Sequence, residues 1–179
     1  MKVETLTLDA LGEAVRDMEK QLFVERYPGF FLVALGTLPA EEIRLRKRAR
    51  IPGLQPEDTL ALRYGDVLNP DGSKKHHPLR GQVFFLQGGP ASDEILVGRG
   101  LTCELIVTDP SVSDIHCVMK VCSAELRVTD AQSTNGTSIN LVRLPPQTEK
   151  ILNDEDIVSF GRCSFQLFSA AMIYDQLSS

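Results

Sequence analysis

The chain has no tryptophan, and only 6% of its 179 residues are aromatic. Long apolar runs are also missing: the longest, Phe30 to Leu35, is far short of the ~20 residues that cross a bilayer. A transmembrane helix is thereby excluded. After Met1-Lys2 the chain continues Val3-Glu4 into mixed polar sequence, without the apolar core of a secretory signal, so a cytoplasmic protein is the expectation. With 42% apolar and 24% charged residues the composition is globular, enough for one large domain or two small ones. Disorder and collagen-like repetition are disfavoured.

CxxC pairs are absent as well. Cys103, Cys117, Cys122 and Cys163 lie in apolar surroundings of the second half, which reads as buried thiols rather than disulfides or zinc ligands. The net charge of −5 is unevenly placed. Residues 1–79 carry 12 basic and 12 acidic side chains, and residues 80–179 carry 7 against 12. An acidic half is a poor match for duplex nucleic acid, whose affinity rests on many Lys and Arg contacts to phosphate. If that half binds an anion, it does so through a few aimed donors, and its acidic surround repels generic polyanions.

The composition changes near residue 70. Asn-Pro-Asp-Gly-Ser-Lys-Lys-His-His at 69–77 has turn formers and charge without apolar periodicity, and predicts a linker. Before it, Leu8, Leu11, Val15, Met18 and Leu22 recur at helical spacing, predicting a helix over about 8–26 capped by Thr7 or Asp9 and stopped by Tyr27-Pro28-Gly29. Pro39 with Glu41 and Glu42 offers a second helix start. A helical or α+β domain over 1–79 is expected. After it, short β-rich runs recur at 82–86, 94–98, 104–107, 116–121, 125–129, 137–140, 156–160 and 163–168, separated by Gly, Pro, Asn and Asp. That pattern predicts an all-β sandwich over 80–170, with residues 171–179 as a tail or short helix.

Four elements within this region stand in a fixed order: Val97-Gly98-Arg99, then Ser113-Asp114-Ile115-His116, then Ser133-Thr134-Asn135-Gly136-Thr137, then Leu152 through Gly161. A phosphomonoester carries about −1.5 to −2 charges and three acceptor oxygens, and is met best by a guanidinium fork and hydroxyl or backbone donors. Arg99, Ser113 and Thr134 are such donors, each beside turn formers at a strand end. Taken together the elements resemble a forkhead-associated (FHA) domain over about 80–170. The resemblance implies a sandwich of two antiparallel sheets whose loops bind phosphothreonine through Arg99 and Ser113, helped by Thr134. It further implies that Asn135 holds the peptide main chain, that Gly98 and Gly136 shape the backbone, and that buried His116 braces the loop. A small apolar pocket for the threonine methyl is also implied.

Other chemistries fit poorly. Ser113 with His116 lacks a third orienting group and a nucleophile turn, so hydrolysis and any other enzymatic role are not expected. Asn153 to Asp156 lacks the spread of an EF-hand and reads as a solvated hairpin turn, so no metal and no cofactor are expected. The resemblance has one departure. Asp114 stands where the family commonly has Arg, Lys or Asn, and a carboxylate near a dianion costs on the order of 1 kcal/mol at an effective dielectric of ~20. It either weakens phosphate binding or faces a basic residue of the partner.

Arg44 to Arg50 places five basic residues in seven, but Glu41 and Glu42 precede them at pairing distance, which favours a solvated helical face. Lys74 to His77 reads as exposed linker. The expected function is a phosphothreonine-dependent adaptor in Ser/Thr kinase signalling whose partner is a threonine-phosphorylated protein, with neither nucleic acid nor membrane involved. A phosphorylation-independent FHA scaffold is the alternative, and a DNA-binding regulator resting on residues 44–50 a distant third.

Overall fold

The computed structural model describes residues 3–37, 79, 81–87, 93–122 and 125–178. The expected linker at 69–77, the helix start at Pro39 and the basic run at 44–50 lie outside them.

The described chain runs β1 (Val3–Thr7), α1 (Leu8–Asp17), α2 (Lys20–Arg26), β2 (Gly29–Thr37), β3 (Gln82–Gln87), β4 (Asp93–Gly98), β5 (Leu105–Ile106), β6 (Cys117–Cys122), β7 (Glu125–Asp130), β8 (Thr137–Ile139), β9 (Val142–Arg143), β10 (Glu149–Leu152), β11 (Ile157–Phe160), β12 (Cys163–Ser169) and a C-terminal helix α3 (Ala170–Leu177). The strands form a seven-stranded sheet ordered β1-β3-β2-β12-β11-β8-β9 and a five-stranded sheet ordered β10-β7-β6-β4-β5. Pairing is antiparallel except between β4 and β5.

Alternation explains which faces meet. In β6, Cys117, Met119 and Val121 are buried while Val118, Lys120 and Cys122 are half-buried, the period of two of a strand with one core face. These side chains pack against Leu32, Phe84, Leu86, Phe160, Phe165 and Leu167 of the other sheet. The seven-stranded sheet is covered on its outer face too. There Phe31, Val33, Val83, Phe85 and Phe168 meet Leu11, Val15 and Phe23 from α1 and α2 and Ile173 from α3. Tyr174 Oη donates to Met18 O at 2.9 Å, and Lys20 pairs with Asp175 at 2.6 Å, so α2 and α3 lie together.

The boundary expected at residue 79/80 falls between two neighbouring strands of this sheet, β2 and β3. Phe30 to Leu35 is a continuous apolar run because β2 is a central strand buried on both faces, paired with β3 and β12. The N-terminal segment described here therefore supplies strands and a helical cover to the sandwich. One correction concerns the helix expected over 8–26. It breaks at Met18-Glu19, and α2 is turned so that Phe23 is fully buried while Leu22 is 57% exposed. Burying the Phe23 side chain contributes about 1.5–3 kcal/mol. Thr7 caps α1 as expected, accepting from the Ala10 amide at 3.2 Å. Residues 170–177 form α3, capped by Ser169.

None of the four cysteines forms a disulfide, and three of them are buried. Burial pushes the Cys103 and Cys117 thiols above their ordinary range and the Cys163 thiol up to about 12, so they sit in the core as neutral side chains.

Candidate functional site

The loops after β4, before β6 and between β7 and β8 converge at one end of the sandwich. Two backbone bonds zip the first pair together: the Arg99 amide donates to Ser113 O and the Gly100 amide to Asp114 O, each at 2.9 Å. Gly98 makes this approach possible, since a Cβ there would run into the Asp114 carbonyl. The third loop joins through Ser113, whose hydroxyl oxygen accepts from the Thr134 amide at 3.1 Å and lies 3.5 Å from the Thr134 hydroxyl. Asn135 Nδ2 donates to Ser111 O at 2.7 Å, and no described residue bonds its side-chain oxygen. The structure thus brings Arg99, Ser113, Asp114, Thr134 and Asn135 onto one face. Arg99 remains 48% exposed and Asp114 76% exposed, so both are reachable from solvent.

Beneath the loops lies a layer of buried polar groups. His116 is fully buried, with Nδ1 accepting from the Ser113 amide and Nε2 facing Gly136 O, both at 3.1 Å. An amide can only donate, so Nδ1 carries the lone pair and Nε2 the proton. Burial holds this imidazole below its ordinary pKa, and it bridges the two loops in neutral form. Asp130, at the end of β7, accepts from the Ser133 amide at 3.1 Å and hydroxyl at 2.6 Å, and from the Thr137 amide at 3.0 Å and hydroxyl at 2.8 Å. Burial alone would raise its pKa, but these bonds outweigh it and hold the carboxyl below its usual range. Asp109 behaves likewise: against the effect of burial, donors from Ser111 and the Arg162 guanidinium hold it well below the ordinary carboxylate range. Gly136 has φ +85 and lies under the Arg143 guanidinium, which occupies the space a Cβ would need.

Residues 95–161 match the family profile described as FHA domain. This segment is an FHA domain. Over 73 residues the chain is 40% identical to the E3 ubiquitin-protein ligase rnf8 of Danio rerio, a match covering 38% of this chain and 15% of that protein's length. Among solved structures, the FHA domain of an Arabidopsis thaliana hypothetical protein has 21% identity, covering 78% of this chain and 84% of that one at a TM-score of 0.50, and shares the fold. An FHA domain from work on phosphothreonine-dependent FHA domain interactions has 25% identity over 49% of this chain and 83% of its own, with a TM-score of 0.43.

Several residues of the FHA domain's loop face carry no signal that the sequence reading used. Asp109, Ser111 and Arg162 tie the loop before β6 to the β11–β12 turn, with Arg162 lying 53 positions from Asp109. Asp130 and Ser133 have the spacing of a side chain capping its own turn, a local cue that could have been read. Arg143 comes from the edge strand β9 and had none. Residues 153–156 do form a turn, but Asp156 is buried, accepting from Asn140 Nδ2 at 2.7 Å and the Asn153 amide at 2.8 Å, so it is a brace and not a solvated carboxylate. No grouping of three or more His, Cys, Asp or Glu side chains able to hold a metal occurs among the described residues, and no described helix is long and apolar enough to cross a membrane.

Proposed function

We propose that the FHA domain captures a threonine-phosphorylated segment of a partner protein, as an adaptor in Ser/Thr kinase signalling. The observation that carries this reading is the convergence of an exposed guanidinium with the Ser113 and Thr134 hydroxyls on loops whose backbone is held from below. In this reading Arg99 forks onto two phosphate oxygens, Ser113 and Thr134 donate to the remaining ones, and Asn135 turns its amide to the peptide main chain. Gly98, His116 and Gly136 support the site. Arg99 already accommodates a carboxylate oxygen at 3.1 Å from Nη2 and 3.3 Å from Nε, which supports an anion being held there.

The test is titration of matched phosphothreonine and unphosphorylated peptides into the wild type and Arg99→Ala. Removing one member of a charged, hydrogen-bonded pair at an interface costs about 2–5 kcal/mol, so affinity for the phosphorylated peptide should fall roughly 30-fold or more. Identical titrations would overturn the reading. The Asp114 carboxylate on Arg99 gives the phosphorylation-independent scaffold its one structural argument. Capture of the cellular partner that survives phosphatase treatment and Arg99→Ala would favour it.

A further inference from the structure

The anion that Arg99 holds is the protein's own. Asp114 Oδ1 lies within hydrogen-bond reach of both Nε and Nη2. Side chains 15 positions apart would ordinarily part when a better ligand arrives, but here the backbone prevents it. The Arg99 and Gly100 amides are bonded to the carbonyls of Ser113 and Asp114, so the Cα atoms of the pair stay side by side. The Asp114 side chain can rotate off the guanidinium; it cannot leave the neighbourhood. The Asp114 peptide is fixed further by Cys103, whose Sγ is 3.1 Å from its carbonyl oxygen.

We infer that Asp114 is a resident competitor for the phosphate site and a selector for phosphothreonine flanked by Lys or Arg. The inference rests on the phosphothreonine reading above. A dianion that takes Arg99 leaves the Asp114 carboxylate unpaired and close to like charge, which disfavours every phosphopeptide alike. A cation of the partner beside the phosphothreonine relieves this by pairing with the displaced carboxylate. Exposed Glu104 adds a second negative group on the loop after β4 that carries Arg99, its Oε2 accepting from the Leu96 amide at 2.8 Å. Two further guanidiniums described on this face are engaged elsewhere: Arg143 lies over Gly136, and Arg162 pairs with Asp109. Free phosphate and weak acidic peptides, which bring no cation, are thereby disfavoured.

The experiment uses an oriented phosphothreonine peptide library with Lys, Gln or Glu fixed in turn at each flanking position, bound to the full chain as wild type, Asp114→Asn and Arg99→Ala. An exposed ion pair and screened repulsion of a dianion together correspond to about 3- to 10-fold in affinity. Asp114→Asn should therefore bind Gln-flanked peptides about 3- to 10-fold more tightly than the wild type. The wild type should prefer Lys over Gln by about 3-fold at one flanking position, and the preference should vanish in the variant. Binding by Asp114→Asn where the wild type shows none is the same result in extreme form. Unchanged affinity and flank profile in Asp114→Asn, with binding still lost in Arg99→Ala, would overturn the role of Asp114 and leave the phosphothreonine reading standing. Absence of binding by all three would bring down both.

Discussion

The loop face has two layers of polar side chains, and they differ in how fully each is satisfied from within. The lower layer, His116, Asp130 and Asp109, is buried, and its atoms are committed to specific donors and acceptors of the loops above. The upper layer, Arg99, Ser113, Thr134 and Asn135, has only part of its capacity engaged and faces solvent. A buried polar group must be paired or it destabilises the fold, whereas an exposed donor can wait for a ligand because water holds its place. The lower layer should thus govern stability and the upper layer binding. Substitutions in each ought to move one observable and leave the other nearly still.

The harshest challenge to that division is Asp130→Ala. It strands the Ser133 and Thr137 amides and both hydroxyls, and Thr137 is fully buried. Each unsatisfied buried group costs about 1–3 kcal/mol, so a total loss of about 3–5 kcal/mol is expected in urea unfolding, with a fall in Tm of roughly 10 °C. A loss below about 1 kcal/mol would mean that water enters beneath the loops and that the layers do not differ. Asp130→Asn keeps an acceptor and should fall between the two.

The second prediction uses pH to separate members of the lower layer. His116 has its folded pKa lowered, so the folded state favours the neutral ring and the unfolded chain binds the proton more readily. Its stabilisation is complete above the unfolded value near 6.5 and is lost as pH falls from there towards the folded value. The lowered carboxyls of Asp109 and Asp130 add a further loss below about pH 4, as protonation removes acceptors that the loops require. Urea midpoints measured from pH 8 to pH 3 should show a plateau, a first decline beginning near 6.5 and a steeper second one. His116→Gln should lower the plateau and abolish the first decline; its persistence would place the titrating group elsewhere.

The same contrast explains what could be read from the sequence. Strands β3, β4, β6, β7, β11 and β12 lie close to their expected positions because alternation and turn residues are local signals. The upper-layer residues were singled out through the FHA resemblance, whose short motifs stand in a fixed order at strand ends. Strands β9 and β10 escaped because they are short edge strands with mostly exposed side chains, which leaves no apolar period. The place of β2 in the sheet was not legible, because it reads as a short apolar run whose partners, β3 and β12, lie far along the chain. The lower layer was mostly invisible for a related reason. Whether an aspartate is a solvated turn residue or a buried brace depends on what packs over it, as Asp156 and Asp109 show, and that is decided by strands far away in sequence.

Ser113 provides the finest test because it belongs to both layers through different atoms. Its amide donates to His116 Nδ1 in the buried layer, while its hydroxyl meets Thr134 on the exposed one. Ser113→Ala keeps the first bond and deletes the second. The Thr134 amide is exposed, so water replaces the lost acceptor and stability should change by less than about 1 kcal/mol. On the proposed function the hydroxyl donates to a phosphate oxygen, a bond to a charged acceptor, and its loss should weaken phosphothreonine binding by about 10-fold. Affinity should fall without a shift in the urea midpoint. A midpoint that drops along with affinity would show that the hydroxyl holds the loop in place, and the boundary between the layers would then have to be drawn above Ser113 rather than through it.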